Sequence, residues 1–78
     1  METKEIVNRF VNLLHIFDVH QFYKDYQNKE NAIDYFASII QSNNSDAIKT
    51  MVDFCKTVEQ SVDEDLIYEA SKLKIILD

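Results

Sequence analysis

Two histidines and one cysteine are the residues of this chain best suited to metal or nucleophilic chemistry. His15 and His20 are five residues apart, whereas two histidines that share a metal on one helix are spaced four apart. Asp18 could add a third ligand, but a stable site needs three or four converging ligands. The sequence therefore predicts no metal site and no other cofactor.

The single thiol, Cys55, could pair with either histidine as an activated nucleophile. However, it falls on the apolar face of a predicted helix, beside Met51, Val52 and Val58. A buried free cysteine behaves as a small hydrophobic residue, and a reactive thiol needs an exposed, electropositive setting. We therefore predict that the protein is not an enzyme and has no catalytic residue.

Glycine and proline are both absent from the 78 residues. Tight β-hairpins usually need such residues, and so do the loops that hold phosphates in nucleotide-binding proteins. Every turn must then be made by Asn, Asp or Ser, which suits connections between helices. We predict an all-α fold in which residues 1–78 form a single helical domain, a compact bundle of four or five short antiparallel helices.

The first predicted helix, about 3–17, is unusually apolar. Its apolar residues cover an arc of roughly 220°, wider than the ~100° stripe of a surface helix, so it is either central to a bundle or shared with a second chain. Asp18 and Gln21 have the spacing of a capping box. This favours a short second helix over a single bent helix across residues 3–27. A third helix, about 30–41, is also apolar over more than half its circumference.

The last two predicted helices cover about 46–60 and 61–77. Ser45 is the expected N-cap of the fourth helix, and Ser61 with Glu64 forms a capping box for the fifth. Within the fifth helix, an apolar seam has the four-three-four spacing of a coiled coil and consists of Leu66, Ala70, Leu73 and Leu77. Tyr68 and Ile75 lie on the opposite side, so we predict that they contact a partner.

Further candidate contact residues are aromatic or acidic. Tyr23 and Tyr26 can be neighbours on a helix because they are three apart, and tyrosine is enriched at interfaces. The stretch 53–69 holds six acids and one base. Its acids form either a solvated, helix-capping face or an anionic surface for a basic partner. The candidate contact residues among these acids are Asp63, Glu64, Asp65 and Glu69.

The charge balance bears on partners and location. The chain carries 14 acidic and 8 basic residues, a net charge of −6, and nucleic-acid-binding surfaces normally need clustered bases. We therefore expect no direct nucleic-acid binding. No signal peptide and no apolar run of about 20 residues is present, and a lone cysteine fits a reducing compartment. These features predict a cytoplasmic protein that does not associate with membranes.

Function is expected to lie in binding another protein as an inhibitor or regulator, and a basic surface on that partner would complement the acidic charge. A homodimer is one form of this hypothesis. The composition, rich in Asn, Ile, Lys and Asp, resembles that of small accessory proteins of AT-rich phages and mobile elements. Such a resemblance implies proteins that block host or defence enzymes. Two alternatives remain, a bacteriocin-immunity-like or antitoxin-like protein, and a nucleic-acid mimic that occupies a basic groove.

Overall fold

The structure, a computed structural model, describes residues 3–78. It contains five helices, α1 (Thr3–Phe17), α2 (Val19–Asp25), α3 (Lys29–Gln41), α4 (Ser45–Val58) and α5 (Glu64–Leu77). No strand occurs within this described range. The prediction of an all-α bundle of four or five short helices is confirmed.

The centre of the bundle is α1, which packs against α2, α3 and α5. Its buried residues are Val7, Phe10, Val11 and Leu13. Most of the wide apolar arc of α1 is thus covered by helices of the same chain, as predicted for a central helix, while Ile16 at its end is 65% exposed. The fourth helix packs chiefly on α5 and touches α3 much less.

The break between α1 and α2 is made by Asp18. Its side chain caps α2 by accepting a hydrogen bond of 3.2 Å from the backbone N–H of Gln21. Asn28 caps α3 in the same way, with its Oδ1 accepting from the N–H of Asn31 at 2.8 Å. Residues 3–25 therefore form two helices, because the Asp18 cap satisfies a donor that a new helix leaves free.

The prediction that Ser45 caps α4 is wrong, because Asn44 is the N-cap and Ser45 is already helical. The side chain of Asn44 accepts a hydrogen bond of 3.2 Å from the N–H of Ala47. The preceding residue, Asn43, has φ 55°. Asparagine tolerates this left-handed conformation better than most residues, so it reverses the chain one residue earlier than expected.

The N-cap expected at Ser61 is also wrong, because α5 begins two residues later than predicted. Asp63 is the N-cap, and its Oδ1 accepts from the N–H groups of Asp65 and Leu66 at 3.0 and 3.3 Å. A carboxylate is favoured there over a serine hydroxyl because its charge also complements the helix dipole.

Two ion pairs hold α5 in place. Arg9 on α1 donates to Glu69, and Lys74 donates to Glu59 at the end of α4 with a distance of 2.7 Å. Ser71 donates a second hydrogen bond to Glu59, at 2.6 Å. The hydrogen bonds from Lys74 and Ser71 lower the pKa of Glu59.

Phe10 is the ring that joins α1 to two other helices. It packs edge-on against Phe36 of α3 at a centroid distance of 5.0 Å and against Phe54 of α4 at 5.6 Å. Each such aromatic pair contributes about 0.5–1.5 kcal/mol beyond the burial of its area.

We predict that Phe10→Ala lowers the free energy of unfolding by about 3–5 kcal/mol, because it leaves a cavity beneath both contacts. A domain of this size has a total stability of about 4–12 kcal/mol, so the variant should unfold at much lower urea concentration. Circular dichroism during urea titration measures this. Val62→Ala, at a position 99% exposed, is the control and should change stability by less than about 0.5 kcal/mol. Equal midpoints for the two variants would contradict the assigned role of Phe10.

Candidate protein-interaction surfaces

The outer side of α5 presents a narrow apolar surface. Tyr68 is 64% exposed and Ile75 is 74% exposed, whereas Ala70 and Leu73 on the opposite seam are buried. The ammonium of Lys72 lies 4.4 Å from the centroid of the Tyr68 ring, in a cation–π contact. We call the residues Asp65, Tyr68, Lys72 and Ile75 the α5 stripe, since their spacing places them on one helix face.

The four predicted acidic contact residues serve different purposes. Glu64 and Asp65 are exposed in the first turn of α5, where Asp65 belongs to the α5 stripe and Glu64 precedes it. The carboxylate of Asp63 accepts the two capping hydrogen bonds described above, and that of Glu69 is paired with Arg9. Of these four, Glu64 and Asp65 are the residues whose carboxylates make no hydrogen bond or ion pair within residues 3–78.

Tyr23 lies on α2, away from the α5 stripe, and is exposed. Its hydroxyl is 3.2 Å from Nε2 of His15, whose ring also packs edge-on against Phe22. His20 is exposed on the same short helix. Within residues 3–78, no group of three or more His, Cys, Asp or Glu side chains is arranged to hold a metal ion.

Tyr26 is half-buried where α2 ends, and it contacts Phe22, Tyr35 and Phe36. Burial raises the pKa of its hydroxyl, and the nearby carboxylate of Asp25 raises it further. The predicted pair Tyr23 and Tyr26 is therefore divided between two environments, one tyrosine facing solvent and the other facing the core.

An open groove separates α3 from α4, and we call it the aromatic groove. Its volume is about 300 Å³. The lining residues come from α1, the end of α2, α3 and α4, and are Phe10, Leu14, Tyr26, Tyr35, Phe36, Ile39, Ala47, Thr50, Met51 and Phe54. The groove exists because α3 and α4 both pack against Phe10 and have few contacts with each other.

The aromatic groove continues towards α2 as a second depression of about 210 Å³. The two share Leu14, Tyr26 and Phe54 as lining residues. Asp18 and Asp25 line this extension as well. The groove and its extension thus form one continuous apolar surface. It ends at Ile39 and Ala47 on one side and at the carboxylates of Asp18 and Asp25 on the other.

The aromatic groove was not predicted from the sequence, although the sequence contained a sign of it. The third helix was predicted to be apolar over more than half its circumference, and the excess is Tyr35 and Ile39, which line the groove. Periodicity reports which residues share a face. It does not report whether a face packs closely on another helix, and the part of α3 that carries Tyr35 and Ile39 packs closely on neither α1 nor α4.

Larger depressions are less suited to apolar ligands. One of about 530 Å³ between α1 and α3 is lined mainly by polar and charged residues, including Lys4, Glu5 and Asp34. Another, of about 450 Å³, lies between α4 and the end of α5 and includes Lys49 and Lys56. The aromatic groove is smaller but its lining is almost wholly apolar, as in most ligand sites.

No helix among residues 3–78 has the length and apolar character needed to cross a membrane. Comparison of the chain with protein-family models, with curated proteins and with solved structures gave no match. The function must therefore be argued from the surfaces themselves.

Cys55 is buried in the core. Burial raises the pKa of its thiol to about 11, with a further contribution from the carboxylate of Glu59. We predict that Ellman's reagent at pH 8 labels the folded chain at least about 100-fold more slowly than the urea-unfolded chain, because the thiolate is the reacting species. Absorbance at 412 nm follows the reaction. Labelling of the folded chain at the unfolded rate would contradict the buried position of Cys55.

Proposed function

We propose that this protein is a small, acidic, non-catalytic binding protein that acts as an inhibitor or regulator by covering a surface of another protein. The observation that carries the proposal is the α5 stripe, where Tyr68 and Ile75 present apolar surface to water. An apolar contact with polar residues around it is the usual organisation of a protein interface. Tyrosine is also among the residues that contribute most to binding energy.

A different protein is a better occupant of the α5 stripe than a second copy. Lys72 lies between Tyr68 and Ile75, so a symmetric pairing of two stripes, parallel or antiparallel, would place two Lys72 ammonium groups close together. Like charges facing each other across an interface oppose association. The net charge of −6 adds a general repulsion between copies.

The partner should offer basic residues opposite Glu64 and Asp65, next to an apolar patch for Tyr68 and Ile75. Binding to such a partner would suit a phage or mobile-element protein that blocks a host or defence enzyme. It would equally suit an immunity-like or antitoxin-like protein, so both roles are open to this chain. Nucleic-acid mimicry is less favoured. Asp63, Glu59 and Glu69 already use their carboxylates in a cap and two ion pairs, so fewer remain to imitate phosphates.

Photo-crosslinking in the native host tests this proposal. A benzophenone side chain placed at Ile75 should crosslink to one protein of different mass, because that position lies inside the α5 stripe. The same side chain placed at Lys56, which is exposed on α4, is the control and should not give that product. With the captured partner purified, the double variant Tyr68→Ser and Ile75→Ser should weaken the Kd by about 30-fold or more, since each side chain contributes about 1–2 kcal/mol.

Three results would contradict the proposal. The first is the same set of products from both positions, and the second is no product from Ile75. The third is a product of twice the chain's own mass, which would mean that the stripe pairs two copies of this chain.

A further inference from the structure

The aromatic groove is a second surface, separate from the α5 stripe, with the dimensions of a binding site for a helix. Along α4, the lining extends from Ala47 to Phe54, a length of about 10 Å at 1.5 Å per residue. The extension past Phe17 lengthens it further. Two to three turns of a helix could therefore lie between α3 and α4.

The volume of the groove suits large apolar side chains. An apolar cavity of about 150 Å³ accepts one benzene-sized group, and the aromatic groove has about 300 Å³ with a further 210 Å³ in its extension. There is room for anchors at successive turns of a bound helix. Amphipathic helices bind hydrophobic grooves in this way, through residues spaced i, i+3 or i+4, and i+7.

The charges around the groove indicate which sign of charge its occupant should carry. Among the described residues that line the groove and its extension, the charged ones are Asp18 and Asp25. Each accepts a hydrogen bond from a neutral N–H of Gln21, which leaves its charge uncompensated, and both are exposed. On α4, a spacing of 100° per residue places Asp46 and Asp53 on the flank next to Thr50. Asp53 also lines the depression on the other side of the helix, together with the lysines Lys49 and Lys56, so the acidic residues that line the groove itself are those of its extension.

We propose that the aromatic groove binds a basic amphipathic helix of a partner protein, whose apolar residues enter the groove while its Lys or Arg side chains face Asp18 and Asp25. This rests on the proposed function only in assuming a protein partner, and it uses different residues. A second copy of this chain is disfavoured as the occupant. Its exposed apolar helix face, the α5 stripe, carries one lysine and one carboxylate and so offers no excess of positive charge, and the net charge of −6 on each copy opposes their association.

Fluorescence anisotropy with a synthetic peptide tests the proposal. The probe is a labelled amphipathic peptide of about 18 residues, with leucines at i, i+3, i+4 and i+7 and with Lys and Arg on its other face. It should bind the wild-type chain saturably at micromolar concentrations. A peptide with the same leucines but with Glu in place of Lys and Arg should bind at least about tenfold more weakly.

Two matched pairs of variants locate the peptide. Thr50 and Thr57 are both exposed on α4, and each hydroxyl donates to the carbonyl four residues earlier at 3.1 Å. Thr50→Arg places a long cation on the groove wall and should weaken binding about tenfold or more, whereas Thr57→Arg should change it less than about twofold. Asp25→Asn should weaken binding about two- to threefold, and Asp34→Asn, outside the groove, should not.

The proposal is overturned if the basic peptide does not bind, or if the two threonine variants weaken binding equally, which would indicate general attraction to an acidic surface. Amide shifts of groove residues that depend on protein concentration without peptide would assign the groove to a second copy and would also overturn it. Tyr68→Ser with Ile75→Ser should leave peptide binding intact. That double variant therefore separates failure of the groove proposal from failure of the α5 stripe proposal.

Discussion

The contacts of the Phe10 ring determine how the rest of the bundle is arranged. From the central helix, this ring packs against Phe36 on one side and Phe54 on the other, and so it holds both α3 and α4. Because α3 packs on α1 and α4 packs chiefly on α5, neither of these two helices needs the other for burial. The gap above Phe10 is the aromatic groove, and its floor is the same ring that stabilises the fold.

Further rings extend this arrangement around the groove. Phe54 also packs against Phe17 at 5.6 Å, and Phe36 packs against Tyr26 at 5.7 Å. Edge-on and tilted contacts of this kind fix the positions of large side chains, and among the groove-lining rings Tyr35 remains 54% exposed. Stability and a preformed binding surface thus come from the same side chains, an economical arrangement for a chain with little surface to bury.

Much of the fold could be predicted from the sequence, because each helix is specified locally. The lack of glycine and proline excluded hairpins, and the Asp18 capping box identified the break after α1. The caps at Asn44 and Asp63 were misplaced by one and two residues, because several neighbouring residues of a polar turn can cap and backbone geometry decides among them. The exposed positions of Tyr68 and Ile75 followed from the seam on the other side of α5.

The aromatic groove could not be predicted in the same way, because it depends on which helix faces meet. Periodicity placed Phe36, Phe54 and Tyr35 on apolar faces, and the natural expectation is that such faces bury one another. Whether α3 closes on α4 depends instead on the size of the Phe10 ring between them and on the short connection at residues 42–44. Those are tertiary features, and they were not visible in the spacing of residues along the chain.

The binding surface depends on α3 and α4 remaining apart, because their separation leaves an apolar groove open to water. Methyl NMR with a neutral, water-soluble gadolinium chelate measures this directly, since relaxation enhancement reports how closely the chelate approaches each methyl group. The account predicts several-fold larger enhancement at the methyls of Ile39 and Ala47 than at those of Val58 and Leu73, which are buried in the core. Equal protection of all four residues would show that α3 closes on α4 and would contradict the account.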